Sequence, residues 1–126
     1  MCRRTLGGLL TGLTLAVFVV SCDRTQTVSL TAEDFRFVPD LVRVPSSVPL
    51  ALTVFNAGRE IHEFDSPVLT YAAGPGPAQS GKAETPGLRL APGQSVRLVM
   101  APPPGTYLYI CRRKGHANMS GTLIVD

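Results

Sequence analysis

Beyond about residue 28, apolar side chains recur at every second position, the period of a strand that buries one face. Val28, Leu30 and Ala32 alternate with polar neighbours, and Leu41, Val42 and Val44 follow a Phe-Val-Pro break. Residues 48–56 (VPLALTVFN) read as a strong strand closed by Asn56-Ala-Gly58. Leu88 to Leu90 is a brief extended piece, and Pro92-Gly93 is a turn signal. Residues 94–100 carry Val96, Leu98 and Met100 on one side, residues 105–110 alternate again, and Gly121 to Val125 forms the last strand. No stretch shows helical periodicity. About seven or eight short strands with turn signals between them predict an all-β fold, an antiparallel Greek-key β-sandwich.

Two segments break the rhythm. Residues 66–87 (SPVLTYAAGPGPAQSGKAETPG) are rich in Ala, Gly and Pro, and read as a loop insertion, either a functional flap or a tolerated surface excursion. Residues 101–105 (APPPG) form a stiff connection that cannot donate ladder hydrogen bonds, so they belong at an end of the sandwich.

The first 21 residues follow a different logic. Arg3 and Arg4 precede an apolar run from Leu6 to Val20, shorter than the roughly 20 residues a spanning helix needs. A basic start, an apolar middle and small residues at the end describe an export signal. Val19-Val20-Ser21-Cys22 resembles the lipobox of bacterial lipoproteins, which implies acylation of Cys22 and anchorage to a membrane. An ordinary cleaved signal or an uncleaved anchor is the alternative. Arg3-Arg4-Thr-Leu also resembles a twin-arginine signal, with Gly7 where a hydrophobic residue is expected, so either export route fits. Residues 22–27 then read as a polar tether, and 28–126 as one small domain. The expected location is the periplasmic or cell-surface side of the membrane.

Charge adds an exclusion. The chain has 12 Lys plus Arg against 9 Asp plus Glu, and loss of Arg3 and Arg4 with the signal leaves 10 against 9. Such a balance gives no reason to expect nucleic-acid binding. The three cysteines say more. With Cys2 in the signal and Cys22 lipidated, Cys111 is a lone thiol in an exported chain, where cysteines normally pair. A metal bound to its thiolate would protect it from oxidation.

Cys111, His116 and Met119 lie on one short loop between two strands. Thiolate, imidazole and thioether donors suit copper, and a His₂Cys set with a weak axial Met describes an electron-transfer copper site. The chain has two histidines, and the second, His62, follows a strand and a turn. In a Greek-key sandwich that position can lie beside the loop joining the last two strands.

Three pieces then stand in order: residues 56–64 (NAGREIHEF), 90–93 (LAPG) and 105–125 (GTYLYICRRKGHANMSGTLIV). In these the chain resembles the cupredoxins, the family of plastocyanin, azurin and auracyanin, over nearly all of residues 28–126. The resemblance implies one copper ion, with His62, Cys111 and His116 as strong ligands and Met119 as the axial one. It also implies a monomeric one-electron carrier whose protein redox partners meet an exposed, apolar-ringed edge of His116. The chain departs from the family in three places. Only Ala117 and Asn118 separate His116 from Met119, Glu63 replaces the usual Asn or Ser, and Lys114 stands where Pro is common. The triplet Arg112-Arg113-Lys114 reads either as a solvated loop or as a positive rim for an anionic partner.

Taken singly, His62 could be structural, Cys111 an inert buried thiol and Met119 a core residue. Tyr107 and Tyr109 read as strand packing rather than an electron path. A self-contained copper oxidase or nitrite reductase needs more histidines than the chain has. A Cys–His nucleophile has no orienting third residue. The remaining alternative is a copper carrier or sensor, or a cupredoxin-like binding module without electron-transfer activity.

Overall fold

The structure is a computed structural model that describes residues 24–73 and 87–126. The signal segment with Cys2 and Cys22, and residues 74–86 of the long insertion, lie outside the described residues. Among the described residues the strands are β1 (Gln26–Glu33), β2 (Arg36–Val38), β3 (Leu41–Val44), β4 (Leu50–Asn56), β5 (His62–Asp65), β6 (Gly87–Leu90), β7 (Ser95–Met100), β8 (Gly105–Ile110) and β9 (Ser120–Val125). They form two sheets, ordered β2-β1-β4-β7 and β3-β9-β8-β5-β6.

The expected sandwich is present, with a correction to its pairing. β1 runs parallel to β4 and β3 parallel to β9, while the other pairs are antiparallel. Neighbours in sequence usually cross between the sheets rather than turning back, so strands distant in the chain become adjacent in the same direction. Period-two alternation cannot reveal direction, since both pairings give it.

Three local expectations also change. β1 begins at Gln26, whose N–H donates to the Pro49 carbonyl at 2.8 Å, so the polar tether ends two residues earlier than its composition suggests. The Phe-Val-Pro break contains β2, hairpinned to β1 with Glu33 opposite Arg36. The turn between them is Asp34-Phe35, and Phe35 takes the left-handed φ of 70° that such turns normally give to Gly or Asn. Without a glycine signal the hairpin is hidden. Finally, the long insertion opens with a 3₁₀ turn at Pro67–Tyr71, started by Ser66, whose Oγ accepts from the Val68 N–H. Val68 and Leu69 are buried there, so this part is core and not surface excursion.

Between the sheets, Leu30, Leu50, Leu52 and Val54 face Phe64, Leu88, Leu90, Leu123 and Val125. An aromatic trio holds the middle. Phe37 meets Phe64 and Tyr109 edge-on at 5.9 and 5.3 Å, and Phe64 stacks on Tyr109 at 5.4 Å. Tyr109 is fully buried, and its hydroxyl donates to the Pro39 carbonyl at 2.8 Å. Each such ring contributes about 1.5–3 kcal/mol by burial. The trio stands directly beneath one end of the sandwich, because Tyr109 and Phe64 lie two residues from Cys111 and His62. Tyr107 packs on Tyr71 and donates to the Pro103 carbonyl, so both tyrosines do pack as the strand pattern indicates.

Candidate metal centre

Two loops and one hairpin tip build this end. The first loop leaves β4 at Asn56, which is wholly buried. Its Oδ1 accepts from the Gly58 N–H, and its Nδ2 donates to the carbonyls of Glu60 and Leu90, each at 2.8 Å. A buried amide is tolerable only when its donors and acceptor are met, and here they are. That saturation shapes the turn that delivers His62 to the start of β5.

The second loop closes on itself. The His116 N–H donates to the Arg113 carbonyl at 3.0 Å, and the Met119 N–H to the His116 carbonyl at 2.9 Å. The Cys111 N–H donates to the Met119 carbonyl at 3.0 Å. Gly115, at φ 90°, takes the bend no β-carbon favours. The short spacing from His116 to Met119 is therefore one tight turn. Met119 is 1% exposed and lines a depression of about 310 Å³ with Phe35, Gly115, His116, Ala117 and Asn118.

These loops bring His62, Cys111 and His116 together. One donor atom each from His62, Cys111 and His116 lies within 4.8 Å of the others, and all three side chains are buried. Cys111 Sγ is 3.5 Å from His116 Nδ1. Metal–sulfur and metal–nitrogen bonds of about 2.3 and 2.0 Å at a tetrahedral angle put two such ligands about 3.5 Å apart. The Glu63 main-chain N–H points at the same sulfur, 3.4 Å away. So the backbone at Glu63 links the two loops, while the Glu63 carboxylate faces Arg89 at 4.0 Å.

Whether these residues fit a metal is answered by His62. Neither of its ring nitrogens has a hydrogen-bond partner, although both are buried. An unmet buried nitrogen costs about 1–3 kcal/mol, and a metal ion would meet one of them. Burial first, and the facing His116 second, hold His62 below the ordinary histidine range, so the imidazole is neutral and its lone pair free. Two imidazoles and one thiol fit copper by donor softness.

Around this core stand groups the sequence reading passed over. Asp34, at the β1–β2 tip, accepts from the Arg59 N–H at 2.9 Å and from its Nε at 3.0 Å. The Arg59 contacts hold its carboxyl below the usual carboxylate range. Asp34 Oδ1 is 3.6 Å from His62 Nε2, and Glu60 Oε2 is 3.3 Å from His116 Nε2. Gly58 fits between the first pair: a β-carbon there would sit 2.5 Å from His62 Nε2 and 2.6 Å from Asp34 Oδ1. Phe35 meets the His116 ring edge-on at 5.2 Å. The signal available in the sequence was an acidic residue beside a histidine and another at the hairpin, both too common to single out.

Two expectations need correction. His116 is 4% exposed, covered by Phe35 and Glu60, so no broad edge of it is bare. And the basic triplet is not a uniform rim. Arg112 is committed to the buried Asp65, Arg113 is half-buried, and Lys114 alone is free of such ties and exposed.

Fold and site together define a small metal-binding β-sandwich with a buried His₂Cys cluster at one end. Residues 9–125 match the cupredoxin-like domain, and the chain belongs to that family. Among solved structures it is similar to auracyanin B, with 26% identity over 86% of this chain and 93% of that one and a TM-score of 0.60. The auracyanin of Roseiflexus castenholzii, a photosynthetic bacterium, shares 23% identity, covering 79% and 96% of the two chains at a TM-score of 0.60. Auracyanin A, the blue copper protein of Chloroflexus aurantiacus, shares 23% identity over 82% and 100% at a TM-score of 0.57. No curated protein matches the chain.

Proposed function

We propose that this chain is an exported, lipid-anchored type 1 copper protein that carries one electron at a time between protein partners. The observation that carries the reading is the His62–Cys111–His116 cluster, buried at the loop end of a cupredoxin sandwich with both His62 nitrogens unmet. Membership of the cupredoxin-like family and the likeness to auracyanin A, described as a blue copper protein, support copper as the metal. When bound, copper supplies a one-electron couple between Cu(II) and Cu(I).

The chain's own residues do the rest. Cys111 is held for ligation by two hydrogen-bonding contacts, from its own N–H to the Met119 carbonyl and to its sulfur from the Glu63 N–H. His62 and His116 are set at 49° with centroids 5.0 Å apart, each fixed by its loop. Fixed ligands mean little rearrangement when an electron enters or leaves. Met119, buried beneath the loop, is the axial candidate, and Lys114 gives the loop the positive charge that suits an anionic partner. Acylation at Cys22 would keep the domain at the outer face of a membrane.

Cycling tests this. Purified protein given Cu(II) should colour intensely, bleach with a mild reductant and recolour on reoxidation. A colourless protein that holds Cu(I) tightly would support the carrier or sensor reading instead, and failure to bind either ion would defeat both. Met119→Leu should keep the colour and shift the potential; an unmoved potential removes Met119 from the ligand set.

A further inference from the structure

We propose that Asp34 and Glu60 are positioning residues, carboxylates that face the outward nitrogens of His62 and of His116 and bias the site toward its oxidised state. The inference rests on the copper reading above. His116 Nδ1 faces the Cys111 sulfur, so a metal there leaves the ring proton on Nε2. That is the nitrogen Glu60 Oε2 approaches, at 3.3 Å. In His62, Nε2 lies 3.6 Å from Asp34 Oδ1, which leaves Nδ1 as the nitrogen for the metal.

Both imidazoles thus carry an acidic partner on the side away from the thiolate. A carboxylate accepting the outer N–H fixes the tautomer and the ring plane and makes the inner nitrogen a stronger donor. Its negative charge also favours the ion of higher charge, acting through an imidazole that is itself buried.

The two partners are held differently. Asp34 is locked, because two Arg59 hydrogen bonds and the hairpin turn fix it. Glu60 is anchored at its carbonyl by Asn56, while its side chain is 60% exposed. Asp34 therefore keeps a fixed charge beside His62 Nε2. Glu60 and Phe35 together cover His116 and are the groups an incoming partner would displace. Within the basic loop, Arg112 is spent on Asp65.

The test is redox titration of the copper-loaded full chain, comparing wild type with Glu60→Gln, Asp34→Asn and Glu33→Gln. Coloured wild-type protein upholds the copper reading by itself; colourless protein removes that reading and this inference with it. In coloured protein, Glu60→Gln is expected to keep the colour and change the ratio of Cu(I) to Cu(II) affinity about tenfold, raising the potential by about 59 mV. Asp34→Asn should move it the same way, and Glu60→Asp should recover part of the shift. Glu33 lies one residue from Asp34 but pairs with Arg36, so Glu33→Gln should leave the potential in place. Unmoved potentials in Glu60→Gln and Asp34→Asn would overturn the proposal, as would an equal shift in Glu33→Gln. Glu60 is exposed enough that its variant decides the matter even where Asp34→Asn fails to fold.

Discussion

The two ligand loops solve the same problem by opposite means. The loop from Cys111 to Met119 is made of its own backbone: three main-chain hydrogen bonds within nine residues set three candidate ligands. The loop from Asn56 to His62 sets one ligand and borrows almost everything. It depends on the Leu90 carbonyl of β6, on Ala32 of β1, which accepts from the Ala57 N–H, and on the Asp34 tip. A self-closed loop tolerates change around it, whereas a borrowed one transmits change from distant parts of the chain. The expected effects of perturbing each follow from that contrast.

Asn56→Ala strikes the borrowed loop at its hub. It removes three hydrogen bonds and leaves the Leu90 and Glu60 carbonyls and the Gly58 N–H without them, so stability should fall by about 2–4 kcal/mol in chemical denaturation. Metal affinity should fall with it. A change under about 0.5 kcal/mol would show that the loop does not depend on this amide.

Next is the floor they share. Burial pushes Tyr109 up to about 12, with Asp40 adding a smaller push. The unfolded chain has this group near pH 10, so its contribution is complete below about pH 10 and is lost as pH rises toward 12, about 2–3 kcal/mol in all. Tyr109→Phe should start less stable, lacking the bond to Pro39, and show a flatter alkaline decline. An equal slope in both proteins would assign the decline to other groups.

Smaller still is Gly115→Ala in the self-closed loop. A β-carbon there meets nothing within 4 Å, so the penalty is only the backbone one at φ 90°, about 1–2 kcal/mol in a thermal melt. A larger loss would mean that this loop leans on its neighbours too. The smallest effect belongs to Phe35→Gly, which relieves the left-handed φ but gives up the contact with His116. The two nearly cancel, and stability should move by less than about 1 kcal/mol.

The same contrast explains what could be read from sequence. Cys111 and His116 were legible because their geometry is local, a strand end followed by a fixed spacing. His62 was legible by count, since the chain has only two histidines. Asn56 read as a strand-ending turn residue, because its partners at Gly58, Glu60 and Leu90 come together only when β4, β5 and β6 are placed. Asp34 and Phe35 were hidden by a turn that lacks glycine. Apart from the short β2 and β5, the strands were visible by alternation, but the parallel pairings of β1 with β4 and β3 with β9 were not, since direction leaves no trace in a period of two.

The central claim is that His62, Cys111 and His116 hold one copper ion through the thiolate. Stoichiometric titration with Cu(II), read by visible absorption and EPR in wild type and Cys111→Ser, tests it most directly. The account predicts an intense thiolate-to-copper band that saturates at one ion per chain and is absent from the serine variant. A colourless wild type, or a band that survives Cys111→Ser, would contradict it.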